Sequence, residues 1–223
     1  MPRKETHFHQ QIDELKIMIL QMAAYVERAV DSATRALLDR NAELAERVIE
    51  GDAKINQMEN DIDEFSLELL VREQPMARDL RFITGCRRAV IDLERAGDEA
   101  VNIAEKTIYL SKLSETPHSP MLEELVATAK DMLRLSIEAL QEENVEKASD
   151  VCRMDYKADD LNVRILKKTM DDMVTEVTGV RRAVNTILAA RSLERIGDLS
   201  TNLAETTIFV VKGVSVKHNC QRF

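Results

Sequence analysis

Carboxylate and amide side chains recur at helical spacing in two segments of the chain that lie 100 residues apart. Residues 93–110 read LERAGDEAVNIAEKTIYL and residues 193–210 read LERIGDLSTNLAETTIFV, with ten of 18 positions identical. At about 100° per residue, the shared polar positions of each copy fall within an arc of about 80°. They are Glu94, Asp98, Asn102 and Glu105 in the first copy and Glu194, Asp198, Asn202 and Glu205 in the second.

A second duplicated segment supplies a possible partner face for each acidic stripe. Asp52-x3-Asn56 and Asp155-x3-Asp159, at an offset of 103, each place two oxygen-bearing side chains one helical turn apart. If the second and third helices of each repeat pack together, four oxygen side chains converge in each repeat. Such a set suits a hard cation such as Mg²⁺, Mn²⁺, Ca²⁺ or iron.

The alternative interpretation of each stripe is a solvated acidic face, which is the commonest environment of helical Glu and Asp. Like charges one turn apart destabilise a helix by a few tenths of a kcal/mol per pair. Both copies nevertheless keep the stripe, whereas a neighbouring position differs, with Glu99 in one and Leu199 in the other. We therefore interpret the stripes as metal sites, and because carboxylates can bridge metals, each site is compatible with two or more metals.

Several arginines are also kept in both copies. Arg95 and Arg195 follow the first acid of each stripe, and Arg81 and Arg181 are likewise 100 residues apart. We expect local or inter-helix ion pairs for them, with an anion or partner contact as the alternative. The basic doublets Arg87-Arg88 and Arg181-Arg182 are interpreted in the same way.

Proline positions and helical periodicity predict the elements that carry these residues. We expect a first helix from Ile12, a second from an Asn41 cap to about Arg72, and a third from near Arg78. The second set comprises a helix from Met121 to Leu140, one capped by Asn144, and one ending at Lys212 before Gly213. The last two should separate between Val174 and Gly179. The predicted fold is all-α, with two tandem three-helix bundles at 1–113 and 121–213, a linker at 114–120 and a tail at 214–223.

Composition supports long helices and argues against several functions. The 223 residues include 6 Gly and 4 Pro, where average usage would give roughly 15 and 11. This scarcity excludes a β-sandwich, a barrel or a Gly-rich nucleotide fold. The net charge of −9 argues against a nucleic-acid partner.

The chain also has none of the usual signals for membrane insertion or export. No apolar run approaches the ~18 residues of a transmembrane segment, and the first residues do not resemble a signal peptide. Cys86, Cys152 and Cys220 are odd in number and contain no CxxC, so we expect reduced thiols. A cytoplasmic location follows as the expectation.

These motifs together resemble the PhoU family, the regulators of bacterial phosphate transport. The resemblance covers nearly the whole chain and rests on RVIEGD at residues 47–52, Gln74-Pro75 with Asp79-Leu80-Arg81, and LERxGDxxxNxAE in both halves. It implies two three-helix bundles side by side, with E/D-x3-D motifs that bind metal clusters, often of iron or zinc. The matching motifs are Glu94-x3-Asp98, Glu194-x3-Asp198 and Asp155-x3-Asp159. Asn56 replaces the second acid in the first repeat, which implies unequal occupancy.

The resemblance further implies a cytoplasmic negative regulator rather than an enzyme. Such a protein would link the ATPase subunit of the phosphate ABC transporter to the phosphate-sensing histidine kinase. It would hold the kinase in its repressing state when phosphate is plentiful. The metal could be iron, zinc, manganese or magnesium, and a flat double bundle is compatible with a homodimer.

Two other classes of protein remain as alternatives. Di-iron oxidases use Glu-x-x-His pairs on helices, but the four histidines, His7, His9, His118 and His218, lie outside the predicted core helices. Glu115-x-x-His118 has the spacing but contains Pro117. The second alternative is a helical scaffold without metal. His218 and Cys220 in the tail are close enough to suggest a ligand pair, which a tail of this kind seldom forms.

Overall fold

Six long helices account for almost all of the chain in the computed structural model, which describes residues 2–113, 119–175 and 179–217. Within these ranges there is no β-strand. The helices are α1 (Pro2–Asp39), α2 (Ala42–Glu73), α3 (Ala77–Ser111), α4 (Pro120–Glu142), α5 (Val145–Thr175) and α6 (Val180–Lys212). The all-α prediction is confirmed.

Local chemistry sets several of the helix ends at the positions that the sequence predicts, but α1 begins at Pro2, ten residues before the predicted start at Ile12. Asn41 Oδ1 accepts a hydrogen bond from the backbone N–H of Leu44 at 3.0 Å, and Asn144 Oδ1 accepts from the N–H groups of Glu146 and Lys147. Both are N-caps that satisfy otherwise unpaired donors. Gly213 has a φ of 73° and ends α6, because glycine adopts this left-handed conformation without steric cost.

The second repeat begins slightly earlier than predicted. Ser119 caps α4 by accepting from the N–H of Met121, and Pro120 is the first helical residue, a position where its missing N–H costs nothing. The remainder of the predicted linker, residues 114–118, lies outside the described residues. The break between α5 and α6 falls within the predicted interval, between Thr175 and Val180.

Two three-helix bundles pack side by side. Helices α1, α2 and α3 contact one another, as do α4, α5 and α6, and the two bundles meet through α3 with α6 and α1 with α4. Lys130 on α4 forms an ion pair with Asp31 on α1. Helices α2 and α5 therefore lie on the outer sides, each against the third helix of its own repeat.

The contact between α3 and α6 is antiparallel. Glu99 lies opposite Arg195, and Asp92 lies opposite Asn202. Continuing this register places Leu199 opposite Arg95. Because equivalent residues of the two repeats are 100 positions apart, an approximate twofold axis relates the two bundles.

One face of α3 carries small and apolar residues at helical spacing, and most of it is buried. Leu93, Gly97 and Ala104 are buried, whereas Val101 and Ile108 are half-buried. Close packing of the helices explains the small residues, because a Cβ atom at Gly85 would collide with the Cγ2 of Val210 on α6.

The cysteines do not all follow the prediction of reduced thiols. Cys86 is free and buried, and burial raises the pKa of its thiol above the ordinary value. Cys152, also buried, is disulfide-bonded, so the prediction is wrong for this residue. Sequence spacing does not show which cysteines meet, because distant segments pack together. Cys220 and His218 lie outside the described residues.

Candidate metal centre

Three carboxylates of the second repeat converge between α5 and α6. Asp155, Asp159 and Asp198 each offer one carboxylate oxygen, and these oxygens lie within 4.8 Å of one another. The Oγ1 of Thr201 donates a hydrogen bond to Asp155 Oδ1 at 3.3 Å. The sequence prediction that α5 and α6 bring these acids together is therefore met geometrically.

Like charges raise the proton affinity of this cluster. The pKa of Asp155 is raised to about 6, first by burial and then by the neighbouring Asp159 and Asp198. The pKa of Asp198 is also raised, by burial and by Asp159, against the opposing effect of Arg191 and Arg195. A cation bound among these oxygens would remove the repulsion, which adds to burial in raising the two pKa values.

Glu194 is the fourth acid of the second cluster. Burial raises its pKa, followed by the charges of Asp198, Asp159 and Asp155, so its carboxylate lies within electrostatic range of all three. Its Oε2 is buried and has no hydrogen-bond partner. An unpartnered buried oxygen is costly, and a cation ligated there would satisfy it.

The first cluster has the same position between α2 and α3 but a different composition. Asn56 Nδ2 donates to Asp52 Oδ2 at 2.9 Å, which leaves Asp52 Oδ1 and Asn56 Oδ1 buried and unpartnered. The pKa values of Glu94 and Asp98 are raised by burial first, with a contribution from Asp52 to both. The unpartnered oxygens of Asp52 and Asn56 thus belong to the same cluster as the two carboxylates of α3. This set of oxygen ligands again suits a cation.

Glu59 is an acid near the first cluster that the repeat comparison of acidic motifs did not include. Its charge raises the pKa of Glu94, and it lies two turns after Asp52 on the same face of α2. The offset of 103 makes Asn162 its counterpart in the second repeat. The amide and acid are therefore exchanged between repeats, with Asn56 and Glu59 in one and Asp159 and Asn162 in the other. An alignment of residues 56–59 with residues 159–162 in the sequence shows this exchange and points to Glu59.

The glycine before each central aspartate lets the helices approach. A Cβ atom at Gly97 would lie 3.1 Å from Ile55 Cδ1 of α2, and one at Gly197 would lie 3.6 Å from the Cβ of Ala158 on α5. The first of these is tighter than ordinary van der Waals contact. The repeated Gly-Asp pair thus positions Asp98 and Asp198 against the neighbouring helix.

The amides of the two predicted asparagine ligands hydrogen-bond to carboxylates outside the two clusters. Asn102 Nδ2 donates to Glu99 Oε2 at 3.1 Å, and Asn202 Nδ2 donates to Asp92 Oδ1 of α3 at 3.4 Å. On the helical wheel, Thr201 and Asn202 lie on opposite sides of Asp198, and it is Thr201 that turns towards α5. The amide of Asn202 is therefore directed away from the carboxylate cluster.

The two glutamates that end the stripes differ from each other. Glu105 forms an ion pair with the neighbouring Lys106 at 3.2 Å. Glu205 raises the pKa of both Asp155 and Asp92, so it lies between the second cluster and the α3–α6 contact.

Several of the arginines that the sequence singles out have partners on other helices. Arg195 forms an ion pair with Glu99 across the repeats at 2.8 Å, and Arg87 forms one with Asp63 of α2 at 2.6 Å. Arg81 Nε donates to the carbonyl of Val210 near the end of α6, at 3.5 Å. The prediction of inter-helix ion pairs is confirmed for Arg195 and Arg87.

The fold and the two clusters define a class of protein in which a three-helix unit is duplicated and each copy carries clustered oxygen-bearing side chains on its second and third helices. The PhoU domain family matches residues 19–107 and 122–207. This chain belongs to the PhoU family.

Named relatives and solved structures agree with this assignment. The chain is 35% identical over 212 residues to the phosphate-specific transport system accessory protein PhoU homolog of Pseudomonas aeruginosa, covering 95% of this chain and 88% of the relative. It is 30% identical over 214 residues to the accessory protein PhoU of Escherichia coli K12, with coverage of 95% and 88%.

The fold is also that of PhoU crystal structures. PhoU from Pseudomonas aeruginosa superposes with a TM-score of 0.90 at 35% identity, covering 93% of this chain and all of that one. The phosphate transport system regulatory protein PhoU from Streptococcus pneumoniae gives 0.87 at 25% identity, with coverage of 94% and 99%. The prediction of two tandem three-helix repeats is confirmed. Among the described residues, no helix is both long and apolar enough to cross a membrane.

Proposed function

We propose that this protein is a metal-binding negative regulator of phosphate uptake and of the phosphate-starvation response. Its relatives are named accessory or regulatory proteins of phosphate transport. The observation that carries the metal-binding part is the pair of clusters between α2 and α3 and between α5 and α6, each with a buried oxygen that lacks a donor.

The clusters suit iron, manganese, magnesium or zinc, since their donors are carboxylate and amide oxygens. Asp155, Asp159, Glu194 and Asp198 would hold metal in the second repeat, and Asp52, Asn56, Glu94 and Asp98 in the first. A bound cation supplies positive charge that neutralises the acids. These residues would then link the outer helix of each repeat to the helices at the centre of the molecule.

The regulatory role is that of an adaptor in the cytoplasm. The protein would contact the ATPase subunit of the phosphate ABC transporter and the phosphate-sensing histidine kinase, and would act as a homodimer. The long, parallel-sided double bundle offers separate faces on its two repeats, which is suited to holding two partners at once. Its net charge of −9 is consistent with action through proteins rather than DNA.

A pull-down with both partners tests the adaptor role. We expect the wild-type chain to retain the kinase and the transporter ATPase, and Asp155→Asn with Asp198→Asn to lose at least one of them. Asp160→Asn is the matched control, because Asp160 is exposed on α5 and paired with Arg164 outside the cluster. Failure of the wild type to retain either partner would overturn the proposal.

Metal binding is tested separately by elemental analysis of protein purified without a chelator or a His-tag. Less than one equivalent of any metal per chain, with no thermal stabilisation by Fe³⁺, Mn²⁺, Zn²⁺ or Mg²⁺, would favour a metal-free scaffold. Rapid oxygen consumption after Fe²⁺ is added to the metal-free protein would instead indicate a di-iron oxidase. His7 and His9 are exposed in the first turns of α1, and His118 and His218 lie outside the described residues.

A further inference from the structure

A cleft forms where the chain folds back after α6. Beyond Gly213 the segment 214–217 returns along the groove between α3 and α6, anchored by Val216, which is only 4% exposed. Residues 215–217 and the two helices enclose a cleft of about 300 Å³. Asp98, Asp155 and Asp198 do not line this cleft, although Glu205 lies between it and the second cluster.

Three cationic side chains line the cleft without a close counter-ion. Arg88 and Arg95 come from α3, and Lys217 comes from the returning segment. Within the described ranges, no carboxylate lies within 4.0 Å of their charged nitrogens to form an ion pair. Arg88 instead stacks on the ring of Phe209 at 4.9 Å. Three cations that converge in an acidic protein form a favourable site for an anion.

The antiparallel packing of α3 on α6 explains why Arg95 has no ion pair with the other repeat. Arg195 is neutralised by Glu99 across the α3–α6 contact, but the residue in the corresponding place opposite Arg95 is Leu199. The charge of Arg95 is therefore left for the cleft. Asp92 in the cleft and Glu94 and Asp98 on the same helix offset part of this charge by electrostatic attraction.

Two carboxylates on the same walls restrict the kind of anion. Asp92 and Glu205 line the cleft, and Asn202 Nδ2 holds Asp92 Oδ1 at 3.4 Å. A bare cation would be repelled by three positive side chains, and an anion without a donor would be repelled by the carboxylates. An oxyanion with a hydroxyl proton satisfies both, since its oxygens accept from the cations and its hydroxyl donates to a carboxylate.

We propose that this cleft binds one small phosphate-type oxyanion per chain. Hydrogenphosphate carries a hydroxyl proton at neutral pH, whereas sulfate does not. The cleft also has room for the substituent of a small organic phosphate. The site does not depend on the metal clusters, and it would let the regulator respond to an anion directly.

The duplicated half lacks the same set of residues. Leu188 replaces Arg88 and Ser192 replaces Asp92 at the equivalent positions. A ligand at this cleft should therefore bind with a stoichiometry of one per chain. Binding at the two metal clusters would instead give two or more.

Calorimetric titration of the full chain at pH 7 with potassium phosphate and with potassium sulfate tests the proposal. We expect one phosphate per chain, bound at least tenfold more tightly than sulfate. Arg88→Gln and Lys217→Gln should each weaken phosphate binding about tenfold, and Asp92→Asn should reduce the preference over sulfate. Lys217 is exposed outside the helices, so its variant should fold normally.

Matched variants distinguish this cleft from other anion sites. Arg164→Gln, on α5 and remote from the cleft, should leave binding unchanged, as should Asp155→Asn with Asp198→Asn. If the variant with Asp155→Asn and Asp198→Asn lost phosphate binding, the anion would be bound to a metal and the proposal would be overturned. The absence of measurable phosphate binding by the wild type would also overturn it. Titration with glycerol 3-phosphate distinguishes the two possible ligands. Tighter binding than that of inorganic phosphate indicates a small organic phosphate, and weaker binding indicates free phosphate.

Discussion

Arg195 and Glu99 form an ion pair of 2.8 Å between α6 and α3, which joins the two repeats. The side chain of Glu99 is only 6% exposed, whereas that of Arg195 is 57% exposed. The carboxylate also accepts a hydrogen bond from Asn102. The buried partner therefore depends on the pair more than the exposed partner does.

This asymmetry predicts unequal effects of the two truncations. Arg195→Ala leaves a buried carboxylate with one hydrogen-bond donor and should cost about 2 kcal/mol of unfolding free energy. Glu99→Leu reproduces the residue of the equivalent position, Leu199, and should cost less than about 1 kcal/mol because Arg195 can be solvated. Urea denaturation measures both. Equal costs would show that the attraction, rather than burial of the acid, determines the effect.

The two carboxylate clusters should bind metal unequally. Glu194→Ala with Asp198→Ala should lower the metal content of the purified protein more than Glu94→Ala with Asp98→Ala. The reason is that three carboxylates converge within 4.8 Å in the second cluster, while in the first Asn56 occupies one oxygen of Asp52. Elemental analysis of both double variants gives the comparison, and equal losses would contradict this ranking.

The protein from which metal has been removed with a chelator should be more stable at mildly acidic pH than at neutral pH. The pKa of Asp155 is about 6 in the folded protein against an ordinary 3.8, so the folded state binds more protons between these values. Stability then falls as the pH rises from about 4 to 6 and stays low above that. Thermal unfolding at pH 5 and 7 measures the effect, which Asp155→Asn should reduce. The stabilisation by Mn²⁺ should instead be greater at pH 7 than at pH 5, because metal and protons compete for the carboxylates.

Close packing of α3 on α6 should make Gly85 intolerant of a side chain. A Cβ atom there would collide with the stiff, β-branched side chain of Val210, so Gly85→Ala should cost about 1–3 kcal/mol. Gly51→Ala in α2 is the matched control, because its Cβ would meet nothing within 4 Å, and it should stabilise the protein by up to about 1 kcal/mol. Adding Val210→Ala should relieve most of the clash. An additive loss in that double variant would assign the cost to another contact.

Helix boundaries and the duplication were predictable from the sequence because the forces involved are local. Asn41 and Asn144 cap helices through hydrogen bonds to residues three positions away or fewer, and Gly213 ends α6 through its own backbone conformation. The convergence of Asp155, Asp159 and Asp198 was also predictable, because it requires only that consecutive helices pack against each other.

Contacts between the repeats were decided by the tertiary structure alone. Helical spacing placed Asn202 and Asp198 on one stripe, but an angle on a helical wheel does not say which neighbouring helix lies there. The antiparallel register of α3 and α6 turned Asn202 towards Asp92 and gave Arg195, but not Arg95, a glutamate to pair with. The sequence by itself thus determined the helices, the repeat and the acids that meet within each repeat. The fold decided what lies between the repeats, because those contacts join residues about 100 positions apart whose register no local interaction sets.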